Sequence, residues 1–249
     1  MAKSLYGLIG KSLVHSFSKD YFTNKFVQRN INAEYLNFEL QSIEEFTEIV
    51  QKSIYLKGLN VTIPYKETII KYLDEISAEA TEIGAVNCIK IDKQNNKIIG
   101  YNTDAFGFAQ SIKPFLESGH TKALILGNGG ASKAVKYVLK NLGIDCFFAV
   151  REKKQENRNT FLYNELTNEI IHQIPLIVNT TPLGTFPAIN EIPPIPTSSI
   201  GSKHFVVDLI YNPLETELLK ISKKQGALTL NGLSMLKIQA EKSWEIWNS

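Results

Sequence analysis

The stretch Ala123-Leu-Ile-Leu-Gly-Asn-Gly-Gly-Ala-Ser132 constrains the fold of this chain more than any other. Apolar residues run straight into a glycine turn. Ala131, Ala134, Val135, Val138, Leu139 and Leu142 then recur at helical spacing. The order is buried strand, tight turn, helix N-terminus. Such a turn aims backbone N–H groups and the positive end of a helix dipole at a pyrophosphate. Gly127 permits the turn, and Gly129 lets phosphates approach the backbone. The third glycine position of the G-x-G-x-x-G pattern is occupied by Ser132, so the match is incomplete.

A second strand-like run, Cys146-Phe-Phe-Ala-Val150, follows about 20 residues later and ends at Arg151. The residue at that place meets the adenine ribose. An acidic side chain there selects NAD, whereas a guanidinium matches the 2′-phosphate of NADP in charge and shape. Arg151, Lys154 and Arg158 therefore predict an NADP site. Glu152 runs against it, since it can pair with Arg151 or contact a ribose. A solvated charged loop that binds nothing is the alternative.

The chain has 249 residues, long enough for one large or two small domains. Its net charge of +2 provides no global basic field, so nucleic acid is not an expected partner. No apolar run is long enough to span a bilayer. Leu5-Tyr-Gly-Leu-Ile9 reads as a first strand and is too short and glycine-broken for a secretory leader. Cys88 and Cys146 read as two buried free thiols and make no metal site. The expectation is a cytoplasmic protein, monomer or homodimer, with a small-molecule substrate.

Strand and helix signals alternate along the chain. Strands are expected at 5–9, 33–40, 57–63, 176–179 and 205–210, with a hairpin of 85–91 against 97–101. Tyr21, Phe22, Phe26 and Val27 mark a first helix; Ile43, Phe46, Ile49 and Val50 mark a second. Pro64 suits a helix start, and Tyr65, Ile69, Tyr72, Leu73 and Ile76 continue that stripe. A last helix carries Leu233, Leu236, Ala240, Trp244 and Trp247. The fold class predicted is α/β with two α/β domains. Residues 1–103, completed by 232–249, form a first domain with a mixed, mostly parallel sheet. Residues 104–231 form a Rossmann-type nucleotide domain, and the final helix returns to the first domain.

Four segments place polar groups where apolar ones are expected: His15-Ser-Phe-Ser18, Asn60-Val-Thr-Ile-Pro-Tyr-Lys66, Gly84-Ala-Val-Asn87 and Asn102-Thr-Asp104. Each also has a structural explanation. Ser16 or Ser18 can cap the first helix, Asn60 and Thr62 can be strand-end polars, and Asn102-Thr-Asp104 can be a turn and N-cap. Lys66 is harder to assign to structure, because in the first turn of a helix a cation opposes the dipole. As an ammonium in a dry cleft it can serve as a general acid–base.

Together these segments resemble the shikimate dehydrogenase family nearly end to end. Ser16-Phe-Ser18 is similar to its S-x-S clamp, Asn60–Lys66 to N-V-T-x-P-x-K, Gly84–Asn87 to G-A-V-N and Asn102–Asp104 to N-T-D. The turn at Gly127, Asn128, Gly129, Gly130, Ala131 and Ser132 resembles its phosphate loop. Asp208-Leu-Ile-Tyr-Asn-Pro213 and Asn231–Gln239 resemble its two late motifs. The resemblance implies NADP-linked interconversion of 3-dehydroshikimate and shikimate, a step of aromatic amino acid biosynthesis. It implies Lys66 as acid–base with Asp104 as its partner. Ser16, Ser18 and Tyr211 would hold the substrate carboxylate; Thr62, Asn87, Asp104 and Gln239 would serve the ring hydroxyls. Thr181, Leu209 and Gly232 would join the phosphate loop, Arg151 and Lys154 at the cofactor. A quinate/shikimate dehydrogenase with relaxed cofactor use and a non-catalytic sensor are the alternatives. Lys19 departs from the family's usual proline, and Val150-Arg-Glu152 from its N-R-T.

Overall fold

The computed structural model describes residues 2–13, 16–152 and 158–249. Lys154 and His15 lie outside the described residues. The chain divides into two compact units, Met1–Thr103 with Ala240–Ser249, and Asp104–Gln239.

The first unit contains β1 (Ser4–Gly10), α1 (Phe17–Gln28), β2 (Ala33–Glu39), α2 (Phe46–Lys52), β3 (Leu56–Val61), β4 (Glu75–Ile76), α3 (Ala78–Ile83), β5 (Cys88–Asp92) and β6 (Lys97–Tyr101). Its sheet runs β2-β1-β3-β5-β6-β4. β1 is parallel to β2 and β3, β4 to β6, while β5 is antiparallel to β3 and β6. Side chains alternate across a strand, so β1 feeds two cores. Tyr6 and Leu8 join Phe22, Phe26, Tyr35 and Trp247 on one face. Ile9 joins Phe46, Leu59, Tyr65 and Ile69 on the other. Val27, expected on the buried stripe of α1, is 73% exposed near the helix end.

The second unit holds α4 (Thr103–Ile112, whose first residue belongs to the first unit), β7 (Lys122–Leu126), α5 (Gly130–Asn141), β8 (Asp145–Val150), β9 (Thr160–Leu162), α6 (Asn168–Gln173), β10 (Leu176–Asn179), β11 (Phe205–Asp208), α7 (Glu217–Lys224) and β12 (Leu228–Asn231). All strand pairs in its sheet, β12-β11-β10-β7-β8-β9, are parallel. Relative to β7 as strand 1, that is the order 3-2-1-4-5-6 of doubly wound dinucleotide folds. α8 (Leu233–Trp247) crosses the division, which falls inside the helix rather than ahead of it.

The helix expected from Pro64 onward does not form. Residues 64–67 are a turn, Thr68–Tyr72 is a short 3₁₀ segment, and the chain then enters β4. Sheet bonding wins over helical spacing here: Asp74 N–H donates to Ile98 C=O at 2.9 Å and Ser77 N–H to Gly100 C=O at 2.9 Å. Lys66 thus lies in a turn and does not oppose the dipole of an α-helix of its own. Both cysteines are free, but Cys146 is only half-buried. Among the described residues no helix is long and apolar enough to cross a membrane.

Candidate active site

In the first unit four of the polar residues singled out by sequence, Ser18, Asn60, Asn87 and Thr103, are joined in one buried network. Ser16 caps α1 and accepts from Lys19 N–H at 3.3 Å. Two residues on, Ser18 is buried and hydrogen-bonds the Tyr35 hydroxyl. Tyr35 donates to Asn60 Oδ1 at 2.9 Å, and Asn60 Nδ2 donates to Ser243 Oγ at 2.9 Å and to the Asn87 carbonyl at 3.2 Å. The Ser243 and Thr103 hydroxyls are 3.1 Å apart. Thr103 N–H donates to Asn87 Oδ1 at 2.6 Å, and Asn87 Nδ2 to Thr103 Oγ1 at 3.0 Å. Buried polar groups are costly unless satisfied, so such a network fixes each member's orientation. Burial drives the Tyr35 phenol well above its ordinary pKa, which keeps it a neutral donor.

Lys66 and Thr62 are anchored through their backbones. Thr62 N–H donates to Ile9 C=O at 2.9 Å, and Lys66 C=O accepts from Val86 N–H at 2.7 Å. Asn102 Nδ2 donates to Ala85 C=O at 2.9 Å, tying the segment ahead of Asp104 to the Gly84–Asn87 loop. Sequence reasoning missed Tyr35 and Ser243. Ser243 lies four residues after Gln239, hence on the same helix face, a spacing that could have flagged it.

In the second unit the glycine turn has the form a phosphate cradle needs. Gly127 has φ +99°, a conformation that L side chains rarely adopt. A Cβ placed on Gly129 would meet nothing within 4 Å, so the backbone lies open at the N-terminus of the 12-residue α5. Asn128 precedes this opening; Gly130 and Ala131 form the first turn. Ser132 is buried and donates to Gly129 C=O at 2.6 Å, so its hydroxyl stabilises the turn from inside. Arg151 is exposed just past β8; burial raises the pKa of the nearby Tyr163 phenol, and the Arg151 charge pulls against that rise.

The remaining cofactor candidates follow the ends of β10, β11 and β12. A Cβ on Gly127 would touch Thr180 Oγ1 at 3.0 Å and Thr181 Cγ2 at 3.1 Å. Thr181 donates through N–H and Oγ1 to Asn179 Oδ1, at 3.0 and 2.7 Å. Leu209 N–H donates to Asn179 C=O at 3.0 Å, and Gly232 N–H to Ile210 C=O at 2.9 Å. Gly232 packs so closely that a Cβ would lie 2.0 Å from the Leu209 carbonyl oxygen. Gly232→Ala is therefore expected to lower stability by about 3 kcal/mol, the upper range for overpacking, because the obstacle is backbone. A urea unfolding midpoint equal to that of the parent would refute this.

The substrate candidates fall in both units: Ser16, Ser18, Thr62, Lys66 and Asn87 in the first, Asp104, Tyr211 and Gln239 in the second. Gln239 is buried, and its amide donates to Leu236 C=O at 3.0 Å. Among the described residues no group of three or more His, Cys, Asp or Glu is placed to hold a metal ion.

A parallel sheet in this order, with a glycine turn opening its first helix, defines a dinucleotide-binding α/β protein. A family model for the shikimate dehydrogenase substrate binding domain matches residues 8–89. Shikimate dehydrogenase (NADP(+)) of Methanosphaera stadtmanae is 40% identical over 97% of this chain and 90% of its own length. The chain belongs to the shikimate dehydrogenase family. Among solved structures, the enzyme from Aquifex aeolicus superposes with a TM-score of 0.87 at 38% identity, covering 99% of this chain and 92% of that one. A shikimate dehydrogenase crystallised with NADP+ superposes at 0.84 with 33% identity, covering 99% and 91%.

Proposed function

We propose that the chain catalyses the NADPH-dependent, reversible reduction of 3-dehydroshikimate to shikimate. The observation that carries this reading is the near full-length relation to NADP-linked shikimate dehydrogenases. The first unit would be the substrate unit and the second the NADP unit. Gly127–Ala131 suit the pyrophosphate, Arg151 the 2′-phosphate, and Thr181, Leu209 and Gly232 the nicotinamide end. When bound, the dinucleotide supplies a hydride to the carbonyl carbon.

The protein's own part is position and protons. Lys66 gives a proton to the carbonyl oxygen in reduction and takes it back in oxidation, with Asp104 orienting that oxygen. Ser16 and Tyr211 hold the carboxylate as hydroxyl donors, and Ser18 joins them by turning its proton from Tyr35 to the substrate. Thr62, Asn87 and Gln239 read the ring hydroxyls, and the network through Thr103 and Ser243 holds Asn87 in one rotamer. This would be a cytoplasmic enzyme, a monomer or homodimer.

The test follows the absorbance of the reduced cofactor as the protein is given shikimate with NADP or with NAD. Faster turnover with NADP is expected, since Arg151 complements a 2′-phosphate. A clear preference for NAD would overturn the cofactor assignment, and turnover of quinate in place of shikimate would overturn the substrate assignment.

A further inference from the structure

Asp208 is fully buried at the end of β11, and each of its described hydrogen-bond partners is neutral. Its Oδ1 accepts from Asn179 Nδ2 at 3.0 Å and from Ile210 N–H at 3.1 Å. Its Oδ2 accepts from Thr216 Oγ1 at 2.7 Å. Burial pushes its pKa up to about 6, against the downward pull of these three bonds. A buried carboxylate is expensive to keep, and proton transfer in the proposed reaction does not use it.

Geometry supplies a role. Asn179, oriented by Asp208, offers its own Oδ1 to the N–H and hydroxyl of Thr181. Ile210, held by the same carboxylate oxygen, accepts from Gly232 N–H, and Gly232 lies against Leu209. One oxygen atom thus fixes the loop after β10 and the loop after β11, and through the latter the start of α8.

We propose that Asp208 is a positioning residue for the dinucleotide, setting Thr181, Leu209 and Gly232 without touching the cofactor itself. The inference rests on the reading that these three residues receive the nicotinamide end. Asp208→Ala removes every arm. Asp208→Asn keeps an oxygen acceptor for Asn179 and Ile210, and its amide can donate to Thr216. Asn179→Ala cuts the arm to Thr181 and takes one donor from Asp208, but leaves the bond from Ile210 in place. Thr216→Val loses the cap of α7 and one bond to Asp208 but leaves both loop arms in place.

The experiment titrates NADPH by fluorescence into each full-length variant and measures thermal unfolding alongside. Asp208→Ala and Asn179→Ala are expected to raise the NADPH Kd roughly tenfold, as for a lost buried hydrogen bond. Asp208→Asn should stay within about threefold of the parent, and so should Thr216→Val despite its lower Tm. Should Asp208→Ala fail to fold, Asn179→Ala against Thr216→Val decides. Unchanged Kd in Asn179→Ala, or Kd following Tm alike in all variants, would overturn the proposal. A parent protein that does not bind NADPH would overturn the functional reading, and this proposal with it.

Discussion

Lys66→Ala is expected to lower kcat for shikimate oxidation by at least roughly 100-fold, the low end for acid–base catalysis, with KM for shikimate near the parent's. The Lys66 carbonyl keeps its bond from Val86, and the neighbouring Tyr65 stays buried with its hydroxyl donating to Leu40 C=O at 2.6 Å. Those two bonds do not depend on the side chain at position 66, so the larger part of the loss is expected in the chemistry. The ring hydroxyls and the carboxylate of the substrate also keep their separate donors, which is why KM is expected to hold. Lys66→Arg should remain nearly as impaired. A guanidinium keeps the charge but gives up a proton only at strongly alkaline pH. Stopped-flow or steady-state absorbance of the reduced cofactor measures both variants. Turnover within a few-fold of the parent in Lys66→Ala would remove Lys66 from the reaction.

The second large effect is on stability. Trp247→Ala is expected to cost about 4 kcal/mol, in the range for deleting a buried aromatic side chain. The indole is 4% exposed and meets Tyr6, Phe22 and Tyr35 at ring-centroid distances of 5.0, 5.3 and 6.4 Å. It lies over Gly58, where any Cβ would fall 2.2 Å from an indole carbon. Its N–H donates to Ile89 C=O at 3.0 Å. The carboxylate of Glu241, bonded by Tyr21 and Lys25 of α1, cannot replace that packing. Since whole domains are stable by about 5–15 kcal/mol, such a loss is a large part of the total. Trp247→Phe separates the contributions. It retains most of the apolar contact but leaves the Ile89 carbonyl without the indole donor, and about 1–2 kcal/mol is expected for that alone. Urea unfolding of the two variants gives the comparison; equal midpoints for Trp247→Ala and the parent would sink the assignment.

The sequence makes some of this visible and hides the rest for physical reasons. Strand β7, its glycine turn and α5 are legible because Ala123–Leu126 are all fully buried, leaving a continuous apolar run followed by helical spacing. β10 is legible at Leu176–Asn179 for the same reason. β4, with two residues, and β9, with three, are too short to show any period, and α3 and α6 have only six residues each. Tyr65 and Ile69 mimic a helix because a turn followed by a 3₁₀ segment also returns every third or fourth side chain to the core. The site is legible where polar residues interrupt apolar runs, as at Asn60, Asn87 and Asn102–Asp104. Tyr35 is not, because a tyrosine in a strand is ordinary and its hydroxyl's partner lies on another strand. Only the fold brings Ser18, Tyr35, Asn60, Ser243, Thr103 and Asn87 together.

The contribution of Ala240–Ser249 to the first unit has a consequence for biosynthesis. The ribosome makes residues 1–103 first, yet at that moment Tyr6 and Phe22 lack the indole that covers them, and Asn60 and Thr103 lack the Ser243 hydroxyl. Residues 104–239 are contiguous and can consolidate as they emerge. The part begun earliest is thus finished last, and a nascent chain stalled before Ala240 would leave an aromatic face bare for chaperones to shield.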